Sequence, residues 1–178
     1  VVVADGQGVV MASCLFSTNT LQAVTGVDLA LTILQQKNIS VYLLGGTLEA
    51  LDKVRSTFSA QYPSVTLSGF SHGYFEPEER SGIIAEIKEK KPDFIFVCMG
   101  FPQQEYMIQS LAHYCDKGIA IGLGGVLDVL SGEVKRAPKW VCSIKCEWLY
   151  RTVKQPRRLL RWPSLLRYVL FVLYRKLL

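Results

Sequence analysis

Histidine is scarce in this chain: His72 and His113 are its two imidazoles. Cys14, Cys98, Cys115, Cys142 and Cys146 include no CxxC pair, so a dedicated zinc or iron site is not expected. An odd cysteine count, with Cys98 closing an apolar run, fits a reducing compartment better than a disulfide-stapled secreted domain. Neither a GxGxxG fingerprint nor a P-loop is present, which weakens dinucleotide and ATP chemistry. No signal peptide is expected, because Val1–Ala4 is followed at once by Asp5 without a basic region or cleavage site. Opening on an apparent strand without an initiator Met, the sequence is expected to be a fragment of a longer protein. Internal repeats and low-complexity segments are also lacking.

The longest stretch without an acidic residue is at the C-terminal end. Residues 151–178 hold eight Lys or Arg and no Asp or Glu, so the net +5 of the chain leaves −3 on residues 1–150. A basic block of this kind implies an anionic partner or a solvated helix face. The longest uncharged run in the terminal stretch, between Arg167 and Arg175, is seven residues. That falls far short of the roughly 20 apolar residues of a bilayer-spanning helix. The stretch is instead expected to lie at a membrane interface, where aromatic and basic side chains are favourable, or to be buried against a partner subunit. It is as apolar as it is cationic, so nucleic acid is not the expected partner.

What is present is an alternation of buried-looking strands with amphipathic stretches. The apolar pattern predicts strands at Val1–Ala4, Ser40–Leu44, Val65–Gly69, Phe94–Cys98 and Ile119–Gly122, with helices at about 20–37, 47–60, 77–90 and 103–115. Pro77 is expected in a first helical turn, and Lys91–Pro92–Asp93 is expected to stop a helix. This is the pattern of an α/β, Rossmann-like fold: a mostly parallel sheet with helices on both faces, followed by a C-terminal helical appendage. The expected organisation is an α/β core over residues 1–135, with its N-terminal segment missing, and a basic, membrane-associating appendage over 136–178.

Ligands in such sheets bind beyond the carboxyl ends of the strands, which singles out four segments. Asp5–Gly6–Gln7–Gly8 offers a strand-end carboxylate suited to a general base, or to a helix cap or turn. Leu44–Gly45–Gly46–Thr47 offers a phosphate cradle at a helix N-terminus, or a plain tight turn. Met99–Gly100–Phe101–Pro102–Gln103–Gln104–Glu105 places amides for a base or sugar, or for helix capping. Gly122–Leu123–Gly124–Gly125–Val126–Leu127–Asp128 leads a glycine-rich turn to an acid that suits a ribose or base, or stands in solvent. In the basic stretch, Arg151, Lys154, Arg158 and Arg161 recur at helical spacing and could meet a diphosphate or line a basic stripe.

In order along the chain, several segments resemble the WecG/TagA/CpsF family of bacterial glycosyltransferases. They are Asp5–Gly8, Val24–Leu29, Gly45–Gly46, Gly73–Phe75, Gly100–Glu105, Gly124–Asp128, Arg136–Pro138 and Glu147–Arg151, with Pro156–Arg158 following. The resemblance implies inverting, metal-independent transfer of a hexose such as N-acetylmannosamine. The donor is a UDP-sugar, the acceptor is carried on polyprenyl diphosphate, and the site is the cytoplasmic face of the cell membrane. It implies no cofactor and a peripheral membrane protein; an anionic surface is the partner expected of the basic stretch, with a homo-oligomer as the alternative.

By the same resemblance Asp5 is the base, and Gln104 and Asp128 belong to the donor pocket with Gly6, Gly45, Gly46, Gly124 and Gly125. Arg151, Arg158 and Arg161 act in catalysis. The sequence departs from the family at Gln22–Ala23, where an Arg is frequent, and at Gln103, where Lys is usual. Family members also carry an upstream Thr and Asn that would precede Val1. Two alternatives from other classes are a nucleotide-dependent oxidoreductase or epimerase on a Rossmann-like sheet and a catalytically degenerate membrane-binding module.

Overall fold

The computed structural model describes residues 7–16, 23–134, 138, 150 and 162–177. The chain divides into two compact units, Gly26–Lys135 and a second made of Val1–Thr25 with Arg136–Leu178. The second unit thus takes in residues 1–25 as well as the C-terminal stretch.

In the first unit four strands, β1 (Ile39–Gly45), β2 (Val65–Ser71), β3 (Phe94–Cys98) and β4 (Ile119–Gly122), form one sheet in the order β2-β1-β3-β4. All three pairings are parallel. Strand alternation sorts the core into two layers. Val41, Leu43, Phe96 and Cys98 face α2 (Gly26–Leu34), α3 (Leu48–Gln61) and α6 (Val126–Leu130), meeting Ala30, Leu51, Phe58 and Leu127. Tyr42, Leu44, Ile95 and Val97 face α4 (Glu79–Lys90) and α5 (Gln103–Tyr114), meeting Ile87, Met107 and Leu111. Because both faces are covered, the strands read as continuous apolar runs, as expected of a parallel sheet.

Local signals set the helix ends. The Thr47 hydroxyl accepts from the Ala50 N–H at 3.2 Å and starts α3. Lys91 closes α4 in the left-handed conformation (φ 47°), and Pro92 follows, as the Lys-Pro signal predicts. Pro77, by contrast, lies outside α4: Glu76 and Glu79 close a turn on each other first, through Glu79 N–H to the Glu76 carbonyl (3.0 Å) and Glu76 N–H to the Glu79 carboxylate (2.8 Å). Of the helix expected over 20–37, residues 20–22 lie outside the described residues and the helix runs Gly26–Leu34; it ends there as Gln35 and Gln36 turn back onto Thr32 and Ile33 and Asn38 adopts φ 58°. The short α6 was absent from the apolar pattern, five residues being too few to show a helical period. The strand expected at Val1–Ala4 lies outside the described residues.

One polar device sits under the sheet. The Tyr42 hydroxyl, on a buried ring, pairs with the Ser71 hydroxyl at 2.8 Å and donates to Glu86 at 2.9 Å. Burial, then the Glu86 carboxylate, raises its pKa above the usual phenol value. Gly69 lies across from it because a Cβ there would stand 2.6 Å from the Tyr42 ring.

In the second unit, α1 (Gln7–Phe16) contacts α7 (Trp162–Leu177). The sequence pattern did not predict α1, because its apolar residues run together as Val-Val-Met-Ala without a helical stripe. Pro163 falls in the first turn of α7, where a missing N–H costs nothing. No helix among the described residues is long and apolar enough to cross a membrane.

Candidate functional site

The chain passes from β1 outward to β2, then returns across β1 to build β3 and β4. The order therefore reverses between β1 and β3, and open α/β sheets bind ligands in the crevice beyond the carboxyl ends of two such strands. Those ends are Gly45 and Cys98, which are register partners.

The turn after β1 is held from three sides. Gly45 and Gly46 adopt φ 128° and 68°, conformations that favour glycine. A Cβ on Gly45 would fall 2.2 Å from the Cys98 carbonyl, and one on Gly46 would lie 3.3 Å from Leu127 in α6. The Gly46 N–H donates to that same carbonyl at 3.2 Å, and its own carbonyl accepts from the Gly73 N–H at 3.0 Å. Both glycines thus have a packing reason to be glycine, independent of any ligand.

After β3, Gly100 adopts φ 79° with open space beside it, the Phe101–Pro102 peptide is cis, and Phe101 is 81% exposed. The Gln104 N–H closes the entry to α5 on the Gly100 carbonyl at 3.0 Å. Its side chain then reaches across to the end of β4, where Oε1 accepts from the Gly124 N–H at 3.1 Å. Nε2 donates to the Glu105 carboxylate at 2.9 Å.

The turn after β4 favours glycine at Gly124 (φ 52°), whereas Gly125 adopts φ −84°, open to any residue. Asp128 follows within α6, and its carbonyl accepts from the Val134 N–H at 2.9 Å and the Ser131 hydroxyl at 3.2 Å. Burial pushes the Cys98 thiol up to about 12; a hydrogen bond from the Leu127 backbone works against this and the nearby Asp128 carboxylate adds to it. Cys98, 6% exposed, packs within the core layer that also holds Leu43, Phe96 and Leu127.

The fold accordingly brings Gly45, Gly46, Gln104, Gly124, Gly125 and Asp128 to the carboxyl edge of one sheet, with a direct bond between Gln104 and Gly124. Asp5, Gly6, Arg151, Arg158 and Arg161 lie outside the described residues. Gly73, Glu105 and Gly122 join the site by contact. Each belongs to a segment singled out by sequence, yet nothing in the local pattern gives it a role. Among the described residues no three His, Cys, Asp or Glu side chains converge.

The model of the glycosyl transferase WecG/TagA/CpsF family matches residues 1–178. The chain belongs to this family. Among curated relatives, the N-acetylglucosaminyldiphosphoundecaprenol N-acetyl-beta-D-mannosaminyltransferase of Bacillus subtilis (strain 168) is 36% identical over 175 residues, 97% of this chain and 68% of the relative. The protein of the same name from Bacillus spizizenii (strain ATCC 23059 / NRRL B-14472 / W23) is 33% identical over 97% of the chain and 67% of the relative. That from Staphylococcus aureus (strain MW2) is 34% identical over 92% of the chain and 65% of the relative. The chain thus spans about two thirds of the length of these relatives.

Proposed function

We propose that this chain forms most of an inverting, UDP-sugar-dependent hexosyltransferase. It moves N-acetylmannosamine or a related hexose onto a polyprenyl-diphosphate-linked sugar, in the synthesis of cell-surface polysaccharide or teichoic acid. The carrying observation is the activity named for the Bacillus subtilis relative, 36% identical over 97% of the chain. The carboxyl edge of the sheet, where Gly45 and Gly46 follow β1 and the Gln104–Gly124 bond joins the segments after β3 and β4, supports a nucleotide-sugar donor there.

In this reading the Asp5 carboxylate takes the proton from the acceptor hydroxyl. The hydroxyl oxygen bonds to the anomeric carbon as the bond to UDP breaks on the opposite face, inverting that carbon. Arg151, Arg158 and Arg161 neutralise the departing diphosphate, in the place a divalent cation takes elsewhere. The exposed apolar side chains of α7, with Arg167, Arg175 and Lys176 among them, support docking at the cytoplasmic membrane face.

The test is a screen of UDP-sugars with an N-acetylglucosamine-diphosphate-polyprenol acceptor, using the full-length protein. Asp5→Asn is expected to lower kcat by about 10²- to 10⁴-fold while UDP binding by calorimetry persists. Retained turnover removes Asp5 as the base. Sedimentation with anionic vesicles but no turnover of any UDP-sugar replaces the enzyme with a membrane-binding module.

A further inference from the structure

An amide side chain has one accepting end and one donating end, so unlike partners decide which way it faces. The Gly124 N–H can only donate, and it meets Gln104 Oε1 at 3.1 Å. The Glu105 carboxylate only accepts, and it meets Gln104 Nε2 at 2.9 Å. Turning the amide over would set N–H against N–H and carbonyl against carboxylate, losing both bonds together. Gly122 forms a third wall: a Cβ there would lie 2.9 Å from Gln104 Nε2 and 3.2 Å from its Cδ.

We propose that Glu105 and Gly122 are positioning residues for Gln104, fixing the direction of its amide and, through it, the Gly124 turn that leads into Asp128. The inference rests on the transferase reading in one respect, that Gln104 stands at the donor. Neither Glu105 nor Gly122 needs to touch the donor to matter. Glu105 acts by holding the donating end of the amide, and Gly122 acts by leaving it room. The atoms a Gly122 Cβ would crowd first are the far end of the Gln104 side chain. That Cβ would also stand 3.2 Å from Ile108 Cδ1, so Gly122→Ala displaces the amide with a small adjustment of the Ile108 side chain, which the melting temperature monitors.

The test reads amide hydrogen exchange at Gly124 by NMR in the ligand-free full chain. Gln104→Ala is expected to speed exchange. Glu105→Ala is expected to speed it about fivefold, the worth of one ordinary hydrogen bond. Glu105→Gln retains a carbonyl acceptor and is expected to recover most of the protection. Gly122→Ala is expected to speed exchange with little change in melting temperature. In turnover assays Glu105→Ala should raise the donor KM about fivefold. In a Gln104→Ala background it should add nothing, because its effect passes through that side chain.

Unchanged Gly124 exchange in Glu105→Ala and Gly122→Ala would overturn the proposal. So would a Glu105→Gln variant as unprotected as Glu105→Ala, or penalties of Glu105→Ala and Gln104→Ala that multiply. If the protein turns over no UDP-sugar, the transferase reading fails, yet the exchange series still decides the positioning.

Discussion

Phe58 in α3 and Phe171 in α7 are the same side chain on helices of similar length, but their surroundings are opposite. Phe58 is 2% exposed and packs into the layer between α3 and the sheet. Phe171 is 60% exposed, and Leu166, Leu170 and Tyr174 on the same helix are also more than half exposed. In α3 the apolar residues Leu51, Val54 and Phe58 are covered by the sheet layer. In α7 the apolar residues stand uncovered beside Arg167, Arg175 and Lys176, and only Val172 among those with described side chains is buried. At about 24 Å, the 16 residues of α7 are shorter than the roughly 30 Å of a bilayer's hydrocarbon core. Apolar character alone thus distinguishes neither a core helix from a surface one nor either from a membrane span.

Truncating the two phenylalanines gives the widest split between these regions. Phe58→Ala is expected to cost about 3–5 kcal/mol in urea unfolding, from lost transfer energy and the cavity left behind. Phe171→Ala in the full chain is expected to change stability by less than about 0.5 kcal/mol. Equal losses would break the comparison by showing that α7 is covered.

Next in size is the charge on α7. Replacing Arg167, Arg175 and Lys176 together by Gln is expected to weaken sedimentation with phosphatidylserine vesicles by on the order of 100-fold, at about 1 kcal/mol per basic group. Unchanged vesicle binding, combined with concentration-dependent dimers in ultracentrifugation, would assign the exposed face to a second copy of the chain.

Within the α/β unit, the glycine turn offers a finer test of how tightly the crevice is built. Gly45→Ala combines φ 128° with a Cβ 2.2 Å from the Cys98 carbonyl, and is expected to cost about 2 kcal/mol or more. A neutral result by thermal unfolding would mean that the turn has room to shift, as a ligand cradle would. The smallest effect is expected from Thr47→Ala, which removes the α3 cap and should cost about 1 kcal/mol.

Much of the α/β unit was legible in the sequence because its signals are local. Phe94–Cys98 and Ile119–Gly122 are bounded as their apolar runs predict, and the other two strands extend one or two residues past them. Gly100, Gly124 and the Gly45–Gly46 pair announced turns at strand ends, and left-handed φ values are found at all four. Less legible were helices without a clean apolar stripe, such as α1, or with too few residues for one, such as α6. Within the candidate site, residue types pointed to Gln104 and Gly124 separately. Their bond spans twenty positions and depends on β3 and β4 lying side by side, which no window of sequence contains.

The order of elements, the two-sided apolar strands, the basic C-terminal stretch and the family motifs are properties of the sequence by itself, because each is carried by residues close together in the chain. The strand order β2-β1-β3-β4, the switch point it creates, and the orientation of the Gln104 amide between Gly124 and Glu105 were decided only by the tertiary structure. Periodicity records which faces of a segment are apolar. The neighbour that covers each face is chosen by packing across the whole unit.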